Sequence, residues 1–318
     1  MSSAQHPQLL AGTRGSPLAL WQVGDFLQRI RSVSAARGLA HEFAELVIRT
    51  TGDATQAAGT RLADIGGKGL FAKEIHEAMA DGRIGFAVHS LKDLETELPA
   101  GIILACALPR EDPRDALIVP PGAAHENPYD ALPHGALVAT GALRRQAQLL
   151  HARPDLRITG IRGNVQTRLD KLVSGTCDAT LLALAGMKRL GLGDKATYRL
   201  APEIMLPAAC QGIVGITVRA ADTHLVELLA AVADPDATVI ATAERALLAA
   251  LDGSCRTPIG AFCDIAADGS LHLRGLVARA DGSFLLRRAL TGAIADAERI
   301  GRELGAALRG DSPRYLFA

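Results

Sequence analysis

The 318 residues are enough for two or three domains with cores of their own, at 48% hydrophobic and 21% charged composition. Balanced acids and bases give a formal net charge of zero, which argues against a general nucleic-acid binder. The longest apolar stretches fall short of a membrane span, and the first fifteen residues lack the basic start and apolar core of an export signal. The five cysteines (106, 177, 210, 255, 263) are scattered without a CxxC pair. That spacing predicts free thiols in a reducing cytoplasm, with neither a disulfide framework nor a metal site. Of the basic residues 28 are Arg and 6 are Lys, and Arg is the side chain that grips carboxylates with two prongs.

In chain order, QLLAGTRG reads as a strand and its exit, and SPLALWQVGDFLQRI as a helix with Ser16 at the N-cap and Pro17 first inside. Strand FAELVIRT, helix GLFAKEIHEAM and strand RIGFAVHS follow, and the turn-rich EDPRD puts a boundary near residue 110. A second series runs DALIV, ALVAT, helix GALRRQAQLL, strand LRITGI, helix NVQTRLDKLVSG and strand DATLLAL. GIVGITVRA is one more strand, returning to the first sheet. Strands alternating with helices of this length predict an α/β fold with mainly parallel sheets. From about residue 235 the pattern changes to helix TVIATAERALLAAL, three alternating segments joined by DG turns, and a last helix ADAERIGRELGAAL. This predicts a small α+β domain with an antiparallel sheet.

Charge concentrates between residues 144 and 189, where nine basic residues face only Asp155, Asp170 and Asp178. In TGALRRQAQLL, Thr140 as N-cap puts Arg144 and Arg145 in the first helical turn, where positive charge is unfavourable without an anion. IRGNVQTRL repeats the arrangement, with Asn164 as cap between Arg162 and Arg168. Any single Arg here reads equally well as part of a solvated basic face. Two cap-plus-Arg sites together favour a carboxylate-rich small molecule, because the aromatic platforms of single-strand binders are missing. The first half matches, with Arg14 and Ser16 at a strand exit, Lys68 in GGKGLF, and Ser90, Lys92 and Asp93 in AVHSLKD. Asp93 is either a helix cap or the one fixed negative charge of an Arg-lined cleft. His89 reads as a packed strand residue. Cys255, among the turn residues of DGSCRTPIGAF, reads as an accessible thiol in a loop.

These segments, with LPREDPRDAL, AGMKRLGL, QGIVGI and ERALLAALDGSCRTPIG added, resemble the porphobilinogen deaminases (hydroxymethylbilane synthases) almost end to end. The resemblance implies two periplasmic-binding-protein-like lobes plus a small C-terminal α+β domain. On this chain the divisions fall at 1–109 with about 213–232, at 110–212, and at 233–318. It implies a transferase that condenses four porphobilinogen molecules, each losing ammonia, on a dipyrromethane cofactor, and then releases hydroxymethylbilane by hydrolysis. The cofactor's implied anchor is a thioether to Cys255, and the implied catalytic group is Asp93, which holds pyrrole nitrogens and stabilises cationic intermediates. Ser90, Lys92, Thr140, Arg144, Arg145 and Arg168 match cofactor ligands. Arg14, Ser16, Lys68, Arg162, Arg189 and Gln211 match groups that meet the substrate. A cytoplasmic monomer without nucleic-acid, membrane or obligate protein partners is implied as well.

Four positions depart from the family pattern. Glu95 stands where a proline is usual, Ala142 lacks a hydroxyl that often bonds a cofactor carboxylate, Asp64 replaces a common Lys, and Cys210 replaces a usual Gly. They keep two other readings in view: a degenerate paralogue, and a non-catalytic two-lobed binding protein for a carboxylate-rich small molecule. A cysteine-nucleophile enzyme built on Cys255 and a histidine has no motif to support it.

Overall fold

The computed structural model describes residues 8–53, 71–122, 125–251 and 257–317. The described residues form two compact units, 8–53, 71–110 and 213–238 in the first and 111–122, 125–212, 239–251 and 257–317 in the second.

The first unit is a five-stranded sheet built from β1 (Gln8–Thr13), β2 (Glu42–Val47), β3 (Phe86–Ser90), β4 (Ile102–Ala107) and β10 (Val214–Arg219), in the order β2-β1-β3-β10-β4. Strands β2, β1 and β3 pair in parallel, whereas β10 runs antiparallel to both its neighbours. Successive residues of a strand point to opposite faces, and both faces of this sheet are covered. Ala11, Phe86 and Val88 pack with Phe26, Leu27 and Ile30 of α1 (Pro17–Ala36) on one side. Ala87 packs with Ile75, Ala78 and Met79 of α2 (Lys73–Ala80) on the other. The Phe26 and Phe86 rings meet edge to face with centroids 5.6 Å apart.

The second unit repeats the scheme with β5 (Asp115–Ile118), β6 (Leu137–Ala139), β7 (Arg157–Thr159), β8 (Ala179–Ala183) and β9 (Tyr198–Leu200), in the order β7-β6-β8-β5-β9. Again the first three are parallel and the fourth, β5, is inverted. Helices α3 (Leu143–Ala152), α4 (Val165–Val173) and α5 (Leu184–Arg189) follow β6, β7 and β8. In each sheet the inverted strand is the first one formed after the chain crosses from the other unit. The expected α/β pattern is therefore present twice, mainly parallel with one reversed strand in each sheet. Strands β4 and β9 and helices α5 and α6 (Thr223–Ala230) went unread in the sequence.

Within the second unit also lies an antiparallel sheet of β11 (Ile259–Ile265), β12 (Ser270–Ala278) and β13 (Leu285–Ala293). Helix α8 (Ala297–Gly310) buries Ile300, Leu304 and Leu308 against β12 and β13. Helix α7 (Pro235–Ala250) starts where the Asp234 carboxylate accepts the Ala237 N–H at 2.7 Å.

Candidate active site

Parallel neighbouring strands present their carboxyl ends at one edge, where α/β sheets bind ligands. In the first unit the exits of β1, β2 and β3 carry Arg14 and Ser16, Thr50 and Asp53, and Ser90 to Asp93. Ser16 is the N-cap of α1 as expected, its hydroxyl accepting the Ala19 N–H at 3.3 Å with Pro17 next in line. Arg14 is held from two sides. Its Nε lies 3.2 Å from both carboxylate oxygens of Asp53 and its Nη2 2.5 Å from Oδ1, while the guanidinium lies 4.0 Å from the Phe71 ring centre. Burial opposes ionisation of Asp53, but the hydrogen bond and charge of Arg14 outweigh it and hold the carboxyl below its ordinary range.

Ser90 Oγ sits 3.0 and 3.1 Å from the two terminal atoms of the buried Gln22 amide, which fixes where the hydroxyl points. Past it the chain makes a short 3-10 turn, Leu91–Asp93, with Leu91 buried and Lys92 and Asp93 exposed. One cavity is lined together by Arg14, Ser16, Gln22, Ser90 and Asp93. His89 is the packed residue expected, buried with its Nε2 3.1 Å from Thr217 Oγ1.

In the second unit the exits of β6, β7 and β8 lead to Thr140, to Arg162 and Asn164, and to α5 with Arg189 at its end. Asn164 caps α4 as expected, accepting the Thr167 N–H at 2.9 Å. Gly163 before it sits at φ +111°, and a Cβ there would lie 2.6 Å from the Thr167 side chain, so only glycine fits the turn. Arg168 Nε donates to the Gly163 carbonyl at 3.0 Å and Arg189 Nη2 to that of Gly212 at 2.7 Å.

The arrangement at α3 corrects the expectation. Its N-cap is Ala142, with no side-chain hydrogen bond; Thr140 is buried two residues earlier and its hydroxyl accepts the Ala142 N–H at 3.2 Å. Arg144 and Arg145 do fall in the first turn, but they are buried (6% and 5% exposed) and both reach Asp115, which is fully buried at the start of β5. Arg145 donates to Asp115 Oδ1 from Nε and Nη2 at 3.1 and 2.7 Å and to the Leu181 carbonyl from Nη1 at 2.9 Å. Arg144 Nη1 lies 2.7 Å from Asp115 Oδ2 and donates to the Leu206 carbonyl at 2.6 Å. Gln211, 1% exposed, adds a 2.8 Å hydrogen bond to Asp115. Burial would raise the Asp115 pKa, but the two guanidinium charges outweigh it and hold the carboxyl well below the usual range. An anion does answer the two arginines, as the helix end demands, but it is supplied by the protein.

The structure thus gathers Arg14, Ser16, Ser90 and Asp93 in one cavity, and Arg144, Arg145 and Gln211 around one buried carboxylate. Lys68 and Cys255, like Asp64, lie outside the described residues. Gln22, Asp53 and Asp115 were not singled out from the sequence. Asp115 had a signal: an acid next to a β-rich apolar run, thirty residues before the Arg pair and so outside any local count of charge.

A dipyrromethane and its pyrrole substrates would present rows of carboxylates. Arg162 supplies a test of fit, because its Nη2 is buried without a hydrogen-bond partner. A buried guanidinium nitrogen left unbonded is costly, and a ligand carboxylate is the group that would satisfy it. The residues present fit such a ligand.

Comparisons with known proteins agree. The family model described as "Porphobilinogen deaminase, dipyromethane cofactor binding domain" matches residues 9–227, and that described as "Porphobilinogen deaminase, C-terminal domain" matches residues 238–310. The porphobilinogen deaminase of Paracoccus denitrificans is 45% identical over all of this chain and 98% of its own length, and that of Nitrobacter winogradskyi is 48% identical with the same coverage. A chloroplastic porphobilinogen deaminase from Oryza sativa is 46% identical over 88% of this chain and 77% of its own. A solved ancestral cationic amino acid solute-binding protein is 13% identical over 70% of this chain and 87% of its own, with a TM-score of 0.43. Two family models spanning nearly the whole chain, and relatives close to half identical end to end, decide the matter: the chain belongs to the porphobilinogen deaminase family.

Proposed function

We propose that Asp93 is the catalytic carboxylate of the family's reaction in this chain, with Cys255 the thioether anchor of its dipyrromethane. The reaction is the deamination and head-to-tail condensation of four porphobilinogen molecules, followed by hydrolytic release of hydroxymethylbilane. The bound dipyrromethane supplies the free pyrrole carbon on which the chain grows. The observation that carries the assignment is the cavity at the β1 and β3 exits, where Asp93 stands with Arg14, Ser16 and Ser90. There the Asp93 carboxylate can accept hydrogen bonds from pyrrole N–H groups and stabilise positive charge as ammonia leaves. Arg14, set by Asp53 and Phe71, and Ser16 bind and orient the incoming substrate's carboxylates.

In the second unit Arg162, Arg168 and Arg189 are further carboxylate ligands for the substrate and cofactor, and in the first Ser90 and Lys92 serve the cofactor; Lys68 is assigned to the substrate from its sequence motif alone. Thr140, Arg144, Arg145 and Gln211 act from within: they shape the start of α3 and the turn before β10, and hand the ligand oriented backbone and helix-end charge. A binding-only or degenerate reading gives Asp93 no task in the cavity it lines. We further place the C-terminal segment from 233 as a domain of its own. The protein is proposed to work as a cytoplasmic monomer, which light scattering would check; the buried, free thiols of Cys106 and Cys177 support a reducing compartment. The assignment is tested by following porphobilinogen consumption in wild type and Asp93→Asn. The variant should fold and turn over at a small fraction of the normal rate; a near-normal rate would remove Asp93 from the chemistry.

A further inference from the structure

We infer that Glu244 is a positioning residue that clamps both flanks of the cofactor-anchoring segment to the turn holding Gln211. The inference rests on the reading of Cys255 as the anchor. Glu244 is in α7 and 0% exposed. Its Oε1 accepts the N–H of Cys263 at 2.7 Å and its Oε2 accepts the N–H of Cys210. A carboxylate is acceptor-only, so each oxygen can take a backbone donor from a different segment. The segments matter. Cys263 is in β11, and residues 252–256 lie in sequence between α7 and β11, so one carboxylate on α7 ties the element before Cys255 to the element after it.

The second bond gives that pair a fixed reference. Cys210 holds φ +59°, the left-handed region that a Cβ disfavours, so the turn must be held from outside itself. Glu244 does this through the Cys210 N–H. The next residue, Gln211, donates to Asp115 Oδ1 at 2.8 Å and to the Pro113 carbonyl at 2.7 Å. Position is thereby passed from the carboxylate on which Arg144 and Arg145 converge, through Gln211 and Cys210, to Glu244 and the flanks of Cys255. Strand β11 has an independent hold on the same segment. Ala261 N–H donates to the Pro207 carbonyl at 3.0 Å, and a Cβ on Gly260 would stand 3.2 Å from the Leu206 and Pro207 carbonyl oxygens. Loss of the Glu244 clamp should therefore loosen the register of the Cys255 flanks and leave the strand attached.

Glu244→Gln tests this with little change of shape. The amide keeps one acceptor and turns an NH2 donor toward the other backbone N–H, so one of the two segments is released. Three quantities are read on wild type, Cys255→Ala and Glu244→Gln: intact mass, steady-state kinetics and amide exchange resolved at Cys210 and Cys263. We expect Glu244→Gln to carry the two-pyrrole adduct on fewer than half as many chains as wild type. Its loaded chains should lose about tenfold in kcat with KM changed less than about twofold, as for misplaced rather than missing groups. At least one of the two amides should exchange about a hundredfold faster, since a shared acceptor has been lost. Wild-type loading, rates and protection in Glu244→Gln would overturn the inference. A wild type without any adduct would instead sink the Cys255 assignment, and the clamp would stand or fall on the exchange data alone. If Glu244→Gln does not fold, the wild type decides: Cys210 and Cys263 should open together, and exchange rates differing more than about tenfold would contradict a common clamp.

Discussion

The exits of the two five-stranded sheets are built alike and used differently. In the first unit strand β1 leads to α1, whose N-terminus is closed by the Ser16 hydroxyl, and Arg14 and Asp93 line a cavity. In the second the equivalent strand β6 leads to α3, whose N-cap Ala142 offers no hydrogen-bonding side chain and whose first turn carries two arginines buried on Asp115. An exposed charge is available to a ligand and costs the fold little when changed. A buried charge is committed to its partner, and losing that partner leaves desolvated ions. Similar motifs, a strand exit with Arg beside a helix start, thus divide into one whose charges line a cavity and another whose charges hold the frame.

The largest effect should come from the buried side. Asp115→Asn leaves two guanidinium groups uncompensated and should cost about 3–5 kcal/mol, read as a fall in the urea midpoint. Because Asp115 is ionised at lower pH in the folded state than in the unfolded one, its contribution is complete above the unfolded value. It fades as pH falls below about 4 toward the folded value. The stability gap between wild type and Asp115→Asn should accordingly be flat from neutral to mildly acidic pH and narrow only below that. A gap that closed already at pH 6 would mean that another group is responsible.

On the open side Asp93→Asn should lower kcat by about 10²–10⁴-fold and change stability by no more than about 0.5 kcal/mol, the reverse of the Asp115 result. Asp53→Asn is intermediate. It frees the Arg14 guanidinium and should raise KM about fivefold, with a stability loss of about 1 kcal/mol for a pair that is only partly buried. Equal losses at Asp53 and Asp115 would erase the contrast between the two exits. The smallest effect is a gain: Ala142→Ser supplies the missing cap to α3 and should stabilise by about 0.5–2 kcal/mol, seen as a higher melting temperature. Thiol titration adds a check on the interior. Cys106 is pushed up to about 12 by burial, so it should remain unreactive in the native protein near neutral pH.

The fold was largely legible because it rests on local signals. Ser16-Pro17 and Asn164 announce their helices, and the Asp268-Gly269 and Asp281-Gly282 turns announce the last sheet. Strand β4 was missed, although IILACA is apolar enough, because it follows a turn-rich stretch and its partner β10 lies more than a hundred residues further on. The site was legible in its residue types and illegible in their pairing. Nothing near Arg144 in the sequence points to Asp115, which is placed beside it by the antiparallel pairing of β5 with β8. Asp53 comes to Arg14 in the same way, because β1 and β2 end together. Whether an arginine is open or spent is decided by such long-range pairing.

The most direct test of the central claim, a family enzyme working on a dipyrromethane fixed to Cys255, is the intact mass of the purified protein beside Cys255→Ala. The account predicts an excess of two linked pyrroles on the wild type and none on the variant. Equal masses, from a host that makes porphobilinogen, would contradict it.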